Sequence, residues 1–198
     1  FGLAWLTISQ CQVKFVSICL KCKIQVTAKS AIIAQDCTFT PYDKRCECAV
    51  EIFANSSGEF TNCQFEQASK AAIAVRDRSK ALFMNCTFKN NSNTSILVLD
   101  KSRANIISSK FYSAERFSIY LYRNSVSYIF KSEFKLQNGK AIFMLTGSQA
   151  HLTDCKFLNC EGGGISIADS SEVDVSFCEF FNIGSSSVHA MKNSLAYV

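Results

Sequence analysis

A serine returns along this chain at an almost constant interval: Ser30, Ser56, Ser79, Ser102, Ser125, Ser148, Ser171 and Ser194. The step in residue number is 26 from Ser30 to Ser56 and 23 every time after that. A fixed period of this length marks equivalent units stacked in one dimension, each burying its apolar face against its neighbours. The same skeleton surrounds every serine. Phe65, Phe88, Phe111, Phe134, Phe157 and Phe180 recur at the shorter step, and Phe39 precedes them by the longer one. Two positions ahead of these stand Cys37, Cys63, Cys86, Ser109, Ser132, Cys155 and Cys178. Cys11 with Val13 reads as one further unit, again one longer step earlier.

Inside each unit the apolar positions alternate with period two, the signature of strands. The first strand carries the inward pairs Ile24 and Val26, Val50 and Ile52, Ile73 and Val75, Ile96 and Val98, continuing through Ile119 and Leu121 to Val188 and Ala190. A second short strand gives Ala81 and Phe83, Ala104 and Ile106, Ala150 and Leu152, Val173 and Val175. The cysteine and phenylalanine form a third. Between the second and third strands the parity slips by one position, which requires a bend, and Asp36, Asn62, Asn85 and Asp154 sit there. Asn and Asp tolerate left-handed backbone and bond their own turn amides, so they suit a tight corner. Three strands per coil predict an all-β parallel β-helix of about eight coils. A leucine-rich repeat shares the period but wants one strand per unit and leucines at set offsets, which fit worse.

The skeleton, above all Asn85-Cys86-Thr87-Phe88-Lys89-Asn90-Asn91 and Gly162-Gly163-Gly164-Ile165, resembles the right-handed β-helix superfamily. That group includes pectate lyases, bacterial polymorphic outer-membrane proteins and the intracellular β-helices of eukaryotic F-box and SHC-binding proteins. The resemblance covers the whole chain and implies a right-handed coil, closest in style to the non-catalytic eukaryotic members. It implies a fold and not an activity, because one fold hosts many functions.

One continuous repeat makes residues 1–198 a single domain. With 48% hydrophobic residues, one proline and eight glycines, the chain can fill a core and lacks the composition of a linker. No basic region followed by an apolar stretch and a cleavage site appears, and no apolar run reaches the length of a membrane span. Neither end carries an amphipathic capping helix, so the chain is expected to be a segment of a longer protein or to have its ends covered by partners. A net charge of +5 allows acidic partners but falls short of a dedicated nucleic-acid binder.

Eleven cysteines need an account. Cys11, Cys37, Cys63, Cys86, Cys155 and Cys178 are expected inside, as a cysteine ladder of reduced thiols acting as small apolar residues. Parallel Cβ vectors make bridging between coils poor, and reduced thiols favour a cytoplasmic location, with an extracellular one if a signal peptide lies upstream. Cys19, Cys22, Cys46 and Cys48 lie in the connections 14–23 and 40–49, the two expanded ones, with Cys22 and Cys48 in the same register. Four thiolates there would suit a closed structural Zn²⁺ site; free thiols and disulfides are the other readings, and no further cofactor is implied. Cys160 reads as a lone free thiol.

Catalysis in pectate-lyase-like enzymes needs clustered Asp with Lys or Arg on the outer side of the first strand. Here those positions hold no carboxylate pair. Over three coils they read Leu97, Leu99, Tyr120, Tyr122, Phe143 and Leu145, an apolar patch of the kind that marks a contact site. Three occupants would suit it: a protein partner, cover by another part of the polypeptide, or carbohydrate stacked on Tyr120 and Tyr122. Beside it the first corner is basic, with Arg76, Arg78, Lys80, Lys101, Arg103 and Arg123, and could steer an acidic partner or be an ordinary solvated turn. Asp77, Asp100 and Asp169 share one corner register, but Arg78, Lys80 and Lys101 argue against a Ca²⁺ site or acid pair there. The only histidines, His151 and His189, fall in different strands and assemble no catalytic set. On the third strand Lys110, Glu133, Lys156 and Glu179 alternate in charge, a register device. Sequons occur at Asn55, Asn85, Asn90 and Asn93. The sum is a non-catalytic interaction rod, with a polysaccharide-active or carbohydrate-binding β-helix as the rival class.

Overall fold

The computed structural model describes residues 5–41 and 48–198. Their regular elements are all strands, so no helix is long and apolar enough to cross a membrane. The strands form three parallel sheets. Among the described residues the first sheet stacks nine strands from Trp5–Ser9 to Val188–Ala190, and the second nine from Gln12–Val16 to Leu195–Tyr197. The third stacks eight, from Cys19–Leu20 to Glu179–Ile183. Every strand pairs in parallel with its counterpart one coil away, as in Ile73↔Ile96, Phe83↔Ile106 and Phe88↔Phe111. This is a parallel β-helix of about eight coils with three strands per coil, as the alternation predicts.

Equivalent side chains therefore pile into columns. Ile24, Val50, Ile73, Ile96, Ile119 and Ile142 are fully buried along one. Phe65, Phe88, Phe111, Phe134 and Phe157 form another, with ring centroids 4.9, 4.8, 4.8 and 4.7 Å apart and planes within 9°. The strand spacing of about 4.8 Å imposes that separation, which is also a good one for offset stacking. Phe60 and Phe83 of the second sheet stack on each other and meet the column edge-on.

The corners explain the serines. At the first corner two consecutive residues are left-handed, for example Asp77 and Arg78 (φ 56° and 61°) or Asp100 and Lys101 (φ 54° and 62°). The next residue is the buried serine. Its N–H donates to the hydroxyl oxygen of the serine one coil on, 3.1 Å from Ser56 to Ser79 and from Ser79 to Ser102. Its own hydroxyl donates back across the turn, from Ser125 to the Tyr122 carbonyl at 2.7 Å and from Ser148 to that of Leu145 at 2.8 Å. A buried amide left without an acceptor would cost about 1–3 kcal/mol. At the second corner Asp36, Asn62, Asn85 and Asp154 are left-handed (φ 55°, 54°, 53° and 56°), as expected.

The third corner holds a slip that the alternation does not reveal. Pairing runs Ala71↔Thr94↔Phe117, then resumes at Ile73↔Ile96↔Ile119, skipping the buried Ala72, Ser95 and Ser118. Ala71, Thr94 and Phe117, just before the skip, thus face outward on the same side as Ala74, Leu97 and Tyr120. Coils also approach closely here: a Cβ on Gly139 would collide with the Arg116 carbonyl one coil away.

The first coil differs from expectation. Cys11 is exposed, and its N–H meets Ser30 Oγ at 3.4 Å, so it stands in the serine column. Gln12–Val16 pairs with Ala31–Gln35 in the second sheet, and Leu20 pairs with Phe39 in the third. The first unit is therefore shorter than those that follow, and Leu20 rather than Val13 caps the phenylalanine column. Equal spacing misled because a strand and a corner can both tolerate a thiol.

Candidate functional site

Two outward rows on the first sheet carry the predicted patch. Ala74, Leu97, Tyr120 and Phe143 stand in register over four coils, and Leu99, Tyr122 and Leu145 over three. Strand pleating sends these residues out while Ile96, Val98, Ile119, Leu121, Ile142 and Met144 point in. All six predicted residues are half-buried, because each leans on its neighbours. Tyr120 lies 5.6 Å from Phe143 and 6.1 Å from Tyr122, ring centre to ring centre. Burial, then the neighbouring Tyr122, push the Tyr120 hydroxyl above its ordinary value, with Arg116 opposing.

The patch opens into a groove of about 500 Å³ that includes residues not expected from the sequence. Phe117 stacks on Phe143 at 4.9 Å and 11° and touches Tyr120 at 5.3 Å, so three rings form one platform. Arg116 sits over Phe117 at 5.1 Å. At the other end the floor is made of small buried residues, Cys48, Ala71 and Ala74, against which Leu97 packs. Phe117 reaches this face only through the third-corner slip, which is why strict alternation hides it.

The basic patch is divided by its partners. Arg76 binds Glu51 at 2.9 Å and Asp77 at 3.1 Å and covers Phe53, while Arg123 pairs with Asp100 at 3.3 Å and covers Tyr122. Arg78 and Lys101 remain exposed along a corner cleft with Asn55 and Asn124. Lys80 and Arg103 are in register on the second sheet, Arg103 over Tyr128 at 5.4 Å. Asp169 pairs with Lys192. The three corner aspartates are therefore each held by a cation in their own neighbourhood. Glu51 is half-buried; burial raises its carboxyl, but the bond from Gln25 and the charges of Lys23 and Arg76 outweigh that and hold it below its ordinary value.

His151 stacks on Tyr128 at 5.0 Å and lies 3.8 Å from Asp174 on the outside of the second sheet, while His189 is exposed in the first. The two imidazoles thus stand on different sheets. Lys110, Glu133, Lys156 and Glu179 stand in register on the third sheet, with Lys156 and Glu179 at 3.0 Å. Asn55, Asn85 and Asn90 are exposed and Asn93 half-buried.

Cys37, Cys63, Cys86, Cys155 and Cys160 are buried and Cys178 is half-buried. Cys160 is thus a core residue of the third corner, its thiol near the Phe134 and Leu158 carbonyls. Hydrogen bonding with Cys155 lowers the Cys178 thiol to about 7 and raises that of Cys155. Two of the four extra cysteines sit in strands instead of connections. Cys19 begins a strand of the third sheet rather than lying in a connection, and Cys48 begins one of the first. Cys22 and Cys48 keep the shared register set by Ile24↔Val50. Cys46 lies outside the described residues. Among the described residues no three potential ligands come together as a metal site.

The sequence matches the family model described as the right-handed β-helix region over residues 4–150 and again over 48–198. No curated protein matches it. A solved glycoside hydrolase is similar in fold, with a TM-score of 0.50 at 10% identity over 87% of this chain. The chain spans only 38% of that enzyme's length. Two further solved structures align over most of the chain with much lower scores. One is a pentapeptide repeat protein involved in heterocyst differentiation regulation from the cyanobacterium Nostoc, with TM-score 0.25, 7% identity, and 94% and 90% coverage of this chain and its own. The other is a plasmid-mediated fluoroquinolone resistance protein, with TM-score 0.21, 12% identity, and 91% and 90% coverage.

Proposed function

The chain belongs to the right-handed β-helix family, and because that fold fixes no activity, we propose a function from its surfaces: a non-catalytic rod that docks a protein partner through the outer face of its first sheet. The observation that carries this reading is the continuous apolar row Leu97, Tyr120 and Phe143 with Leu99, Tyr122 and Leu145 beside it. Columns of similar chemistry are rigid because each is backed by packed core, so the face loses little entropy on association. Aromatic residues supply large contact area at the centre of an interface. The basic corner at Arg78 and Lys101 suits an acidic partner within a larger assembly. Buried thiols acting as core residues fit a reducing, cytoplasmic setting, and any Zn²⁺ held by Cys19, Cys22, Cys46 and Cys48 would be structural.

The test is Tyr120→Asp combined with Phe143→Asp. Both side chains face outward, so the melting temperature should change by only a few degrees while partner capture from cell extract is lost. Unchanged partners in a folded double variant would refute docking through this face.

One observation favours a second reading. The Phe117–Tyr120–Phe143 platform is the kind of surface on which a sugar ring stacks, and the glycoside hydrolase shares the fold. A carbohydrate-binding or polysaccharide-active rod would be stabilised by its ligand. A rise in melting temperature with Ca²⁺ or an acidic oligosaccharide would favour it over docking.

A further inference from the structure

The groove itself, beyond the six residues of the apolar face, has a shape and a charge that specify an occupant. Along one outward column the residues are Cys48, Ala71, Thr94 and Phe117, and along the next Glu51, Ala74, Leu97, Tyr120 and Phe143. From the alanines onward both columns pass from small to large in the same direction. The result is a recess floored by Cys48, Ala71 and Ala74, closed by Leu97, that rises onto the three-ring platform. From the coil of Cys48 to that of Phe143 is four coil steps, or about 19 Å at the usual strand spacing. An extended peptide covers that length with about six residues.

The groove lining itself offers a cation: among the described residues it includes Arg116 and no carboxylate. Glu51, which precedes Ala74 in its column, is already held by Lys23 and Arg76. Arg116 is exposed, is positioned by Phe117 and has no ion pair among the described residues, unlike Arg76 and Arg123. On the opposite edge of the same sheet Arg78 and Lys101 are also exposed. A ligand lying along the recess would run between Arg116 on one margin and a corner on the other. There Asp77 and Asp100 are held by Arg76 and Arg123, while Arg78 and Lys101 stay exposed. Backbone N–H and C=O groups of the sheet are spent on pairing between coils, so the occupant cannot add as a strand and must be read through its side chains.

We infer that this groove binds an extended acidic segment of a partner protein, seating one bulky apolar side chain in the recess over Ala71 and Ala74 and placing a carboxylate against Arg116. This deepens the docking reading and rests on it. It adds a register, a polarity and an anchor that the apolar face alone does not specify. Fixed cations beside an apolar recess give such a peptide both its rate of encounter and its orientation.

The experiment selects from a displayed library of random peptides on the intact chain, then measures binding of a labelled synthetic peptide by fluorescence anisotropy. That probe has a central leucine flanked by aspartates, and its controls replace leucine by serine or the aspartates by lysine. The expected result is enrichment of acidic sequences with one bulky apolar residue. Arg116→Glu should weaken the probe about tenfold or more, Arg116→Lys should largely restore it, and added salt should weaken it. The melting temperature should be the same in both variants, because Arg116 is exposed. Apolar but uncharged peptides, selected and abolished by Tyr120→Asp with Phe143→Asp yet insensitive to Arg116→Glu, would overturn the acidic occupant and leave the docking face standing. No selected peptide would overturn both. Sedimentation showing a dimer that Arg116→Glu dissolves, or an acidic oligosaccharide competing for the probe, would also overturn it by assigning the groove to a second copy or to a sugar.

Discussion

On the third sheet Lys110, Glu133, Lys156 and Glu179 stand one above another, each with an opposite charge in the next register position and Lys156 closing on Glu179 at 3.0 Å. On the first sheet Ala74, Leu97, Tyr120 and Phe143 occupy the same kind of outward column at the same spacing. Pleat, register and backing are common to the two faces, so only the side chains differ. An alternating column satisfies its charges within itself and offers a stranger little. An apolar column gains something from stacking, but its half-exposed rings still gain when water is removed from them. The lesson is that a solenoid wall is inert where neighbours complement one another and receptive where they merely resemble one another.

The strongest challenge to this contrast attacks what the two walls share. Phe111 is fully buried, with rings of Phe88 and Phe134 each 4.8 Å away. Phe111→Ala should cost about 3–5 kcal/mol, lowering the denaturant midpoint and loosening both walls together. A loss below about 1 kcal/mol would mean that the column does not carry the coil.

A smaller effect separates a charge held by the first wall from the solvated ones on the third. Glu51 is kept below its ordinary value of 4.5 by Gln25, Lys23 and Arg76 against the opposing pull of burial. A carboxyl lowered on folding lends stability that is present above its unfolded value and disappears as pH falls through its folded one. Glu51→Gln should therefore lower the melting temperature at neutral pH and flatten its fall below about pH 4.5. An unchanged acid limb would show that Glu51 is not the group responsible.

The smallest effect belongs to the third wall alone. Lys156→Glu would set a third carboxylate between Glu133 and Glu179. The cost should be about 0.5 kcal/mol at low salt and should vanish in concentrated salt, with binding to the groove unaffected.

Much of this architecture was legible because columns write themselves into sequence as intervals. The serines, the phenylalanines and the Asp and Asn corners all gave positions that the structure bears out, and so did the outwardness of Leu97, Tyr120 and Phe143. What escaped notice lies where the period of two breaks. Phe117, Arg116 and Ala71 join the groove through the skip at Ala72, Ser95 and Ser118, and small residues there look like ordinary core. Cys11 fell in the wrong column because spacing alone cannot tell a shortened coil from a lengthened one. Partner charge at the corner was also invisible: Arg76 and Arg123 look as available as Arg78 and Lys101 until their carboxylates are placed in space.

The skip at the third corner recurs at the same place in successive coils, and the pairing on either side of it is repeated unit by unit. Duplicating or excising one whole repeat would thus rejoin matching edges without disturbing the interior. Such an event between Ala71 and Phe117 would slide the anchor pocket and the ring platform apart or together by about 4.8 Å. Gene rearrangement could in this way retune which spacing of side chains the rod measures, as one resets the jaws of a caliper, while leaving the instrument itself intact.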